Sequence, residues 1–151
     1  MLFIDPVSFL LHLPDVAYNF ICRKPIRANE HRLYYFASKD MGVSHTLFRR
    51  FFWSKNILWK EDIGNHRVTV VLGGKDLIVD TEVVKAYVTE SESVRPAKGS
   101  WEEGVWKGDG LDVLWFPELD QAQVFDKKST RLRLVSIARS YCDRNSTWYL
   151  T

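Results

Sequence analysis

The chain has 151 residues, of which 46% are hydrophobic and 14% aromatic, enough to build the core of one globular domain. Lysine and arginine together number 21 against 19 acidic residues, so the formal net charge is only +2. So small a charge creates no strong long-range field and does not imply nucleic acid or an anionic membrane as a partner, and we expect no nucleic acid.

The first predicted element is a short strand over residues 2–4. Asp5 and Pro6 follow this apolar run, and a proline cannot extend a ladder of backbone hydrogen bonds. A short continuous apolar run of this kind is typical of a strand buried on both faces of a parallel sheet. Because the apolar start is interrupted at once and no positive leader precedes it, we expect neither a signal peptide nor a membrane span. The sequence leaves the cellular location open.

Residues 5 to about 65 carry mostly helical patterns. Val43, Leu47 and Phe51 recur at the four-residue spacing of one helix face. Two earlier segments show a similar pattern, residues 9–22 and 30–38. Pro14 is expected to bound one of these helices, because its ring clashes with a preceding helical turn.

Aromatic side chains are concentrated in the same region. Residues 9–59 contain 11 of the 21 aromatic residues. We expect these rings to pack inside a small helical layer, because aromatic side chains bury large apolar areas. Their use as the lining of an apolar ligand pocket is the functional alternative.

A strand, a turn and a helix are predicted next. The run RVTVVL, residues 67–72, is rich in β-branched residues and ends at Gly73 and Gly74, which indicates a strand followed by a tight turn. Asp80 then offers an N-cap for a helix. Four apolar residues are predicted to share one face of this helix: Val83, Val84, Tyr87 and Val88.

The last third of the chain repeats this order. Residues 90–110 are rich in Ser, Gly, Glu and Lys and are predicted to form an exposed loop. Residues 111–116, LDVLWF, form the third predicted strand. A final helix is expected after an N-cap at Ser129 or Thr130. Its apolar face is predicted to contain Leu134, Ala138 and Tyr141.

Alternating strands and helices without tight hairpins predict the α/β class, with three parallel strands joined by helical crossovers. Three strands make a thin sheet. The first strand would then present an apolar edge, which we expect to pair with another strand of a larger sheet or with a second subunit.

Three segments are predicted to meet at the carboxyl ends of these strands, where open α/β sheets place their chemistry. They are Asp5-Pro6, GGKDLIVD (residues 73–80) and ELDQAQVF (residues 118–125). The four histidines have no metal-ligand spacing, so we expect no metal and no cofactor. Cys22 and Cys142 are predicted to be free thiols, packed as small apolar groups.

Taken in this order, the segments resemble the C-terminal half of an α/β-hydrolase, most similar to uncharacterised fungal members. The most specific pieces are DPVSFLLHLPDVAYNF and the pair GGKDLIVD and ELDQAQVFD. The resemblance extends from Met1 to about Tyr141. It implies a single partial α/β-hydrolase domain over residues 1–151, with a helical lid-like insertion at 5–65 and C-terminal strand–helix units at 66–151.

The resemblance also implies roles for two residues. In this family the catalytic order is a serine on a GxSxG elbow, then an acid, then a histidine. The acid position falls on Asp76, and Asp80 is the alternative, although its place before Thr81 fits helix capping. The histidine position falls on Gln121, whose amide cannot take up a proton near neutral pH. We expect Gln121 to hydrogen-bond across the site, for example to Asp76.

The nucleophile of such a triad is absent from these residues. No GxSxG occurs in the 151 residues, and Met1 lies almost at the start of the first strand, so we expect the chain to begin midway through the fold. A truncated gene product or a degenerate copy would have these features. Removing a triad serine lowers the catalytic rate about as much as removing the whole triad does, about a millionfold in a well-studied protease. The chain is therefore predicted to be an inactive, hydrolase-like protein.

A hypothesis from a different class is a non-enzymatic binding or interaction module. Its aromatic helical region would hold an apolar small molecule, or its exposed first strand would pair with another subunit and cause self-association. A third hypothesis, with little support in the sequence, is an enzyme of unrelated chemistry that uses Asp76, Asp80 and a histidine.

Overall fold

The computed structural model describes residues 1–64, 66–89 and 110–145. The strands are β1 (Leu2–Ile4), β2 (Val68–Gly73) and β3 (Leu111–Phe116). The α-helices are α1 (Pro14–Ala17), α2 (Ala28–Leu33), α3 (Met41–Arg49), α4 (Lys60–Ile63), α5 (Thr81–Thr89) and α6 (Lys128–Asn145). Single π-helical turns continue α1 and α2, over Tyr18–Cys22 and Tyr34–Ser38, and 3₁₀ turns occupy Trp53–Lys55 and Gln123–Phe125.

The strands form one parallel sheet in the order β1-β2-β3. Leu2 pairs with Thr69, and Val68 pairs with Leu111. All six residues of β2 are buried, as expected for the central strand of a parallel sheet that is rich in β-branched side chains. The predicted α/β class with three parallel strands is confirmed, and β2 begins one residue later than the sequence indicated.

β1 is an edge strand of this sheet. It bonds to β2 on one side, and its three residues are half-buried. The prediction of a strand buried on both faces is therefore wrong, whereas the prediction of an apolar edge is confirmed within the described residues. Leu2 and Ile4 pack against the core of the sheet, which leaves Phe3 on the opposite face of the strand.

The described chain divides into two units. The sheet unit comprises Met1–Pro6, Ile63–Asp76 and the described residues from Thr81 onward. The helical unit comprises Val7–Asp62 and Leu77–Asp80. Within the helical unit, the side-chain nitrogen of Asn19 donates a hydrogen bond to the carbonyl of Ile78 at 3.1 Å, which ties the short second segment to the first.

The core of the sheet unit lies between the sheet and α6. Its buried members are Val71, Leu114, Leu119, Val124, Leu134 and Ile137. The prediction for α6 was wrong at one position, because Ala138 is exposed and Ile137 is 2% exposed. A similar error affects α5, where Val84 and Val88 are buried but Val83 is exposed. In both helices a spacing of three or four residues was compatible with more than one face.

The aromatic side chains of the helical unit are mostly not packed inside it. Of the 11 aromatic residues between positions 9 and 59, Phe9 is buried and eight are exposed. The exposed rings are Tyr18, Tyr35, Phe36, Phe48, Phe51, Phe52, Trp53 and Trp59. The expectation of an aromatic core is therefore wrong, because these short helices bury only a narrow stripe each.

The exposed loop predicted over residues 90–110 lies, except for Gly110, outside the described residues. Of the helices that are described, none combines the length and the apolar character needed to cross a bilayer. The two thiols, Cys22 and Cys142, are free and exposed, so the expectation that they pack as small apolar groups is wrong.

Candidate functional site

The carboxyl ends of the three strands bring Asp5, the Gly73-Gly74 turn and the loop after β3 together. Asp5 follows β1 directly and adopts a left-handed conformation with φ of 43°. Its backbone amide still donates to the carbonyl of Val71 at 2.9 Å, so β1 remains joined to β2 up to this residue. Aspartate tolerates this conformation better than most residues, because its short polar side chain can form local hydrogen bonds.

The Asp5 carboxylate bridges the other two strand ends. One oxygen, Oδ1, accepts a hydrogen bond from the amide of Gly73 at 2.8 Å. The other, Oδ2, accepts from the amide of Ala122, also at 2.8 Å. Ala122 itself has φ of 62°, a conformation that is uncommon for alanine and turns its amide toward this acceptor. One side chain therefore links all three strand ends.

Burial raises the pKa of the Asp5 carboxyl above its ordinary value. The hydrogen bonds from Ala122 and Gly73 favour the ionised form and oppose this rise, whereas the charge of nearby Asp120 adds to it. Asp5 is thus a carboxylate in a partly desolvated position, next to a second buried acid. Carboxyl groups with a shifted pKa are common at functional sites. Carboxylates that bridge structural elements also have shifted pKa values.

The turn after β2 and the loop after β3 lie side by side. The amide of Gly74 donates to the carbonyl of Phe116 at 2.8 Å, and the amide of Lys75 donates to the carbonyl of Leu119 at 2.9 Å. The side chains of Lys75 and Glu118 form an ion pair at the surface of the same contact. These bonds hold the two segments that contain Asp76 and Gln121 next to each other.

Glycine is required here because the two backbones approach so closely. A Cβ atom on Gly74 would lie 2.7 Å from the Cα of Pro117. A Cβ on Gly73 would lie 2.9 Å from the carbonyl oxygen of Leu119. Contacts this short with backbone atoms cannot be relieved by a side-chain rotation, so both positions favour glycine.

The two predicted site residues lie in these segments but do not bond to each other. Asp76 is half-buried, and its amide donates to the carbonyl of Gly73 at 3.2 Å. Gln121 is half-buried, and its amide donates to Oδ1 of Asp120 at 2.8 Å. No hydrogen bond joins the Gln121 side chain to Asp76 in the described part of the chain, so that expectation is wrong. Asp80, the alternative acid, is exposed and directly precedes α5.

Three polar residues at this edge were missed as site residues in the sequence. Asp5 was predicted to lie at this edge but was given no role there, yet it makes the bonds described above. Asp120 is buried, and its amide donates to Oε1 of Gln123 at 3.0 Å. The spacing of an acid and a glutamine three positions later is a signal for a helical start, and Gln123 does begin a 3₁₀ turn. That pattern could have identified the Asp120–Gln123 pair.

The helical unit contains a small cleft that is open to solvent. Phe20, Leu33 and Leu77 supply apolar lining. Arg23 and Glu30 also line it, and they form an ion pair with each other at 3.1 Å. The cleft is therefore lined by polar and apolar groups together, and the apolar ligand pocket stays a prediction.

Metal chemistry has no support in the described ranges. No group of three or more His, Cys, Asp or Glu side chains there is placed to hold an ion.

No match to this chain was found among family models, curated proteins or solved structures.

Proposed function

We propose that this chain is the C-terminal portion of an α/β-hydrolase-like protein, of the serine-hydrolase or esterase kind, and that these 151 residues alone do not hydrolyse esters. The observation that carries the proposal is the pair of hydrogen bonds between the turn containing Asp76 and the loop containing Gln121. An acid and a general base placed on neighbouring loops, after consecutive parallel strands, fit the order of such a triad.

Two chemical losses support the inactive half of the proposal. The 151 residues contain no GxSxG, so no serine is presented on a nucleophile elbow. The amide of Gln121 cannot accept the proton that a triad histidine takes from serine. A general base contributes roughly a hundredfold to ten-thousandfold to the rate, so Gln121 would limit activity even beside an intact serine.

The first experiment measures turnover of a chromogenic acetate ester by the purified 151-residue chain. We expect hydrolysis at the rate of the buffer alone. A low rate can also come from a contaminating esterase, so any signal is tested after a second purification. Turnover that persists and is blocked by a serine-directed phosphonate would overturn the proposal.

A second experiment tests the geometry without relying on activity. The variant Gln121→His introduces an imidazole whose pKa can be followed by NMR. If Asp76 is the acid partner, the double variant with Asp76→Asn should lower that pKa by about one unit, because a carboxylate within about 6 Å stabilises the imidazolium. The matched control is Asp80→Asn, which should have little effect. An equal response to both carboxyl variants, or a response to Asp80→Asn alone, would contradict the assignment of Asp76.

A second candidate function is self-association through β1. It is favoured by the edge position of this strand, whose outer backbone groups have no partner strand in the described sheet. Sedimentation velocity over a wide concentration range should then show a dimer that Phe3→Lys weakens, while Val83→Lys on the exposed side of α5 does not. A monomer at every concentration would exclude this function.

A further inference from the structure

A separate feature of the helical unit is the segment FRRFFWSKNILWK, residues 48–60, here called the aromatic–basic segment. It contains four cations and five aromatic rings, and no acidic residue. Glu61 and Asp62 follow the segment directly, and Oδ2 of Asp62 accepts a hydrogen bond from the amide of Trp59 at 3.2 Å, so the excess of cations is greatest around Arg49 and Arg50. Electrostatic attraction over a Debye length of about 10 Å depends on the local charge.

Most of this segment is open to solvent. Phe48, Phe52 and Trp53 are 66%, 62% and 50% exposed. Arg49 and Arg50 are also exposed, and neither forms an ion pair within the described residues. Large apolar side chains cost free energy when water covers them, and a contiguous exposed group of them indicates an interaction surface.

The exposed side chains belong to ordered structure. On α3, Met41, His45 and Phe48 follow the spacing of one helix face, and all three are exposed. The rings of Trp53 and Trp59 both lie against His12, with centroids 6.3 Å and 5.3 Å away, so the two indoles are grouped.

Hydrogen bonds to backbone carbonyls hold the rest of the segment in place. The amide of Leu58 donates to the carbonyl of Ser8 at 3.0 Å, and the side chain of Asn56 donates to the carbonyl of Phe52 at 2.9 Å. The rings and cations are therefore presented on a folded surface within the helical unit.

We infer that the aromatic–basic segment docks the protein onto anionic lipid surfaces. Phenylalanine and tryptophan rings are stabilised at the boundary between head groups and acyl chains, and arginine and lysine bind the anionic head groups at the same depth. Both kinds of side chain occur together in this one short segment.

Single-stranded nucleic acid is the other anionic partner that aromatic rings can bind, by stacking on its bases. The exposed surface favours lipid, because it includes aliphatic Met41 on the same helix face as Phe48. An aliphatic side chain gains little from base stacking but is stabilised in the acyl region of a bilayer.

The test is co-sedimentation of the full chain with vesicles that contain about one third phosphatidylserine in phosphatidylcholine. We expect binding at about 0.1 M salt, loss of binding at about 1 M salt, and much weaker binding to vesicles of pure phosphatidylcholine. No binding to the anionic vesicles, equal binding to both kinds, or binding only to single-stranded RNA each overturns the proposal.

Two surface variants locate the binding site. Arg49→Gln with Arg50→Gln should weaken partitioning about thirtyfold, at about 1 kcal/mol for each cation. Phe48→Ser with Trp53→Ser should weaken it separately. The matched control is Arg131→Gln with Leu132→Ser, an exposed cation and apolar residue on α6, which should change partitioning less than twofold. Circular dichroism checks that each variant is folded, and equal losses in all three variants would contradict the assigned surface.

Discussion

Oδ2 of Asp5 accepts a hydrogen bond from the backbone amide of Ala122 at 2.8 Å, although the two residues are 117 positions apart. The other oxygen of the same carboxylate accepts from Gly73, which is 68 positions away. Asp5 thereby fixes the end of β2 and the loop after β3 relative to β1. This bridge adds to the backbone bonds from Gly74 and Lys75, which hold the segments that contain Asp76 and Gln121 next to each other.

Removal of the bridge should destabilise the sheet unit. In Asp5→Ala both amides lose their acceptor, and we expect the free energy of unfolding to fall by about 2 kcal/mol. In Asp5→Asn the amide oxygen still accepts one bond and no buried charge remains, so the loss should be much smaller. Urea unfolding at neutral pH measures both, with exposed Asp126→Asn as the control. Equal losses in the alanine and asparagine variants would contradict the proposed bridge.

The raised pKa of Asp5 gives its stability contribution a definite sign with pH. Since the folded pKa lies above the unfolded value, the folded chain binds more protons between the two values. The stability of the wild type relative to Asp5→Asn should therefore be greatest below the unfolded pKa. It should fall as the pH rises through the folded pKa. Urea unfolding of both proteins from about pH 3.5 to about pH 7 measures this difference, and an advantage that grows with pH contradicts the sign.

The strands could be predicted from the sequence because each is a short, mostly apolar run, and β2 is rich in β-branched residues. Helix periodicity identifies residues that share a face, but it does not show which face is covered. Phe48 was therefore assigned to a buried layer although it is exposed. The bridge by Asp5 could not be predicted, because its partners Gly73 and Ala122 are distant in sequence and are bound through their backbone.

The turn after β2 and the loop after β3 approach so closely that a side chain at Gly74 should destabilise the chain. In Gly74→Ala the added Cβ would lie 2.7 Å from the Cα of Pro117, so the two backbones must separate. We expect a loss of about 2 kcal/mol in the free energy of unfolding. Gly42→Ala on exposed α3 is the matched control, since its Cβ meets only the end of the Asp40 side chain at 3.3 Å. Similar losses of unfolding free energy in the two variants would mean that the contact with Pro117 does not require glycine at position 74.

The assignment of the buried face of α6 can be tested directly. Ile137→Ala should lower the free energy of unfolding by about 3 kcal/mol, because the side chain is buried beside Leu134 in the core of the sheet unit. Ala138→Ser should change it by less than about 0.5 kcal/mol, since Ala138 is exposed. Thermal unfolding followed by circular dichroism compares the two. A larger loss of unfolding free energy in Ala138→Ser than in Ile137→Ala would support the buried face predicted from the sequence.

Glu30 should give the helical unit a pH dependence opposite in sign to that of Asp5. Its side chain is 11% exposed, and Oε2 accepts from the amides of Ile26 at 2.6 Å and Arg27 at 3.2 Å. The bond from Ile26 contributes most to lowering the pKa of Glu30, burial opposes it, and Arg27 and Arg23 lower the pKa further. Because the folded pKa lies below the unfolded value, the stabilisation is complete above the unfolded pKa and is lost as the pH falls through the folded pKa.

The variant Glu30→Gln tests this dependence. At about pH 6 it should reduce the free energy of unfolding by about 1 kcal/mol, because neutral hydrogen bonds to the two amides are weaker than charged ones. Most of that loss comes from the amides, since the partly exposed pair with Arg23 contributes little. At about pH 3 the gap between wild type and variant should close as Glu30 is protonated. Exposed Glu61→Gln is the control, and a gap that stays constant down to about pH 3 would show that the charge of Glu30 does not stabilise the start of α2.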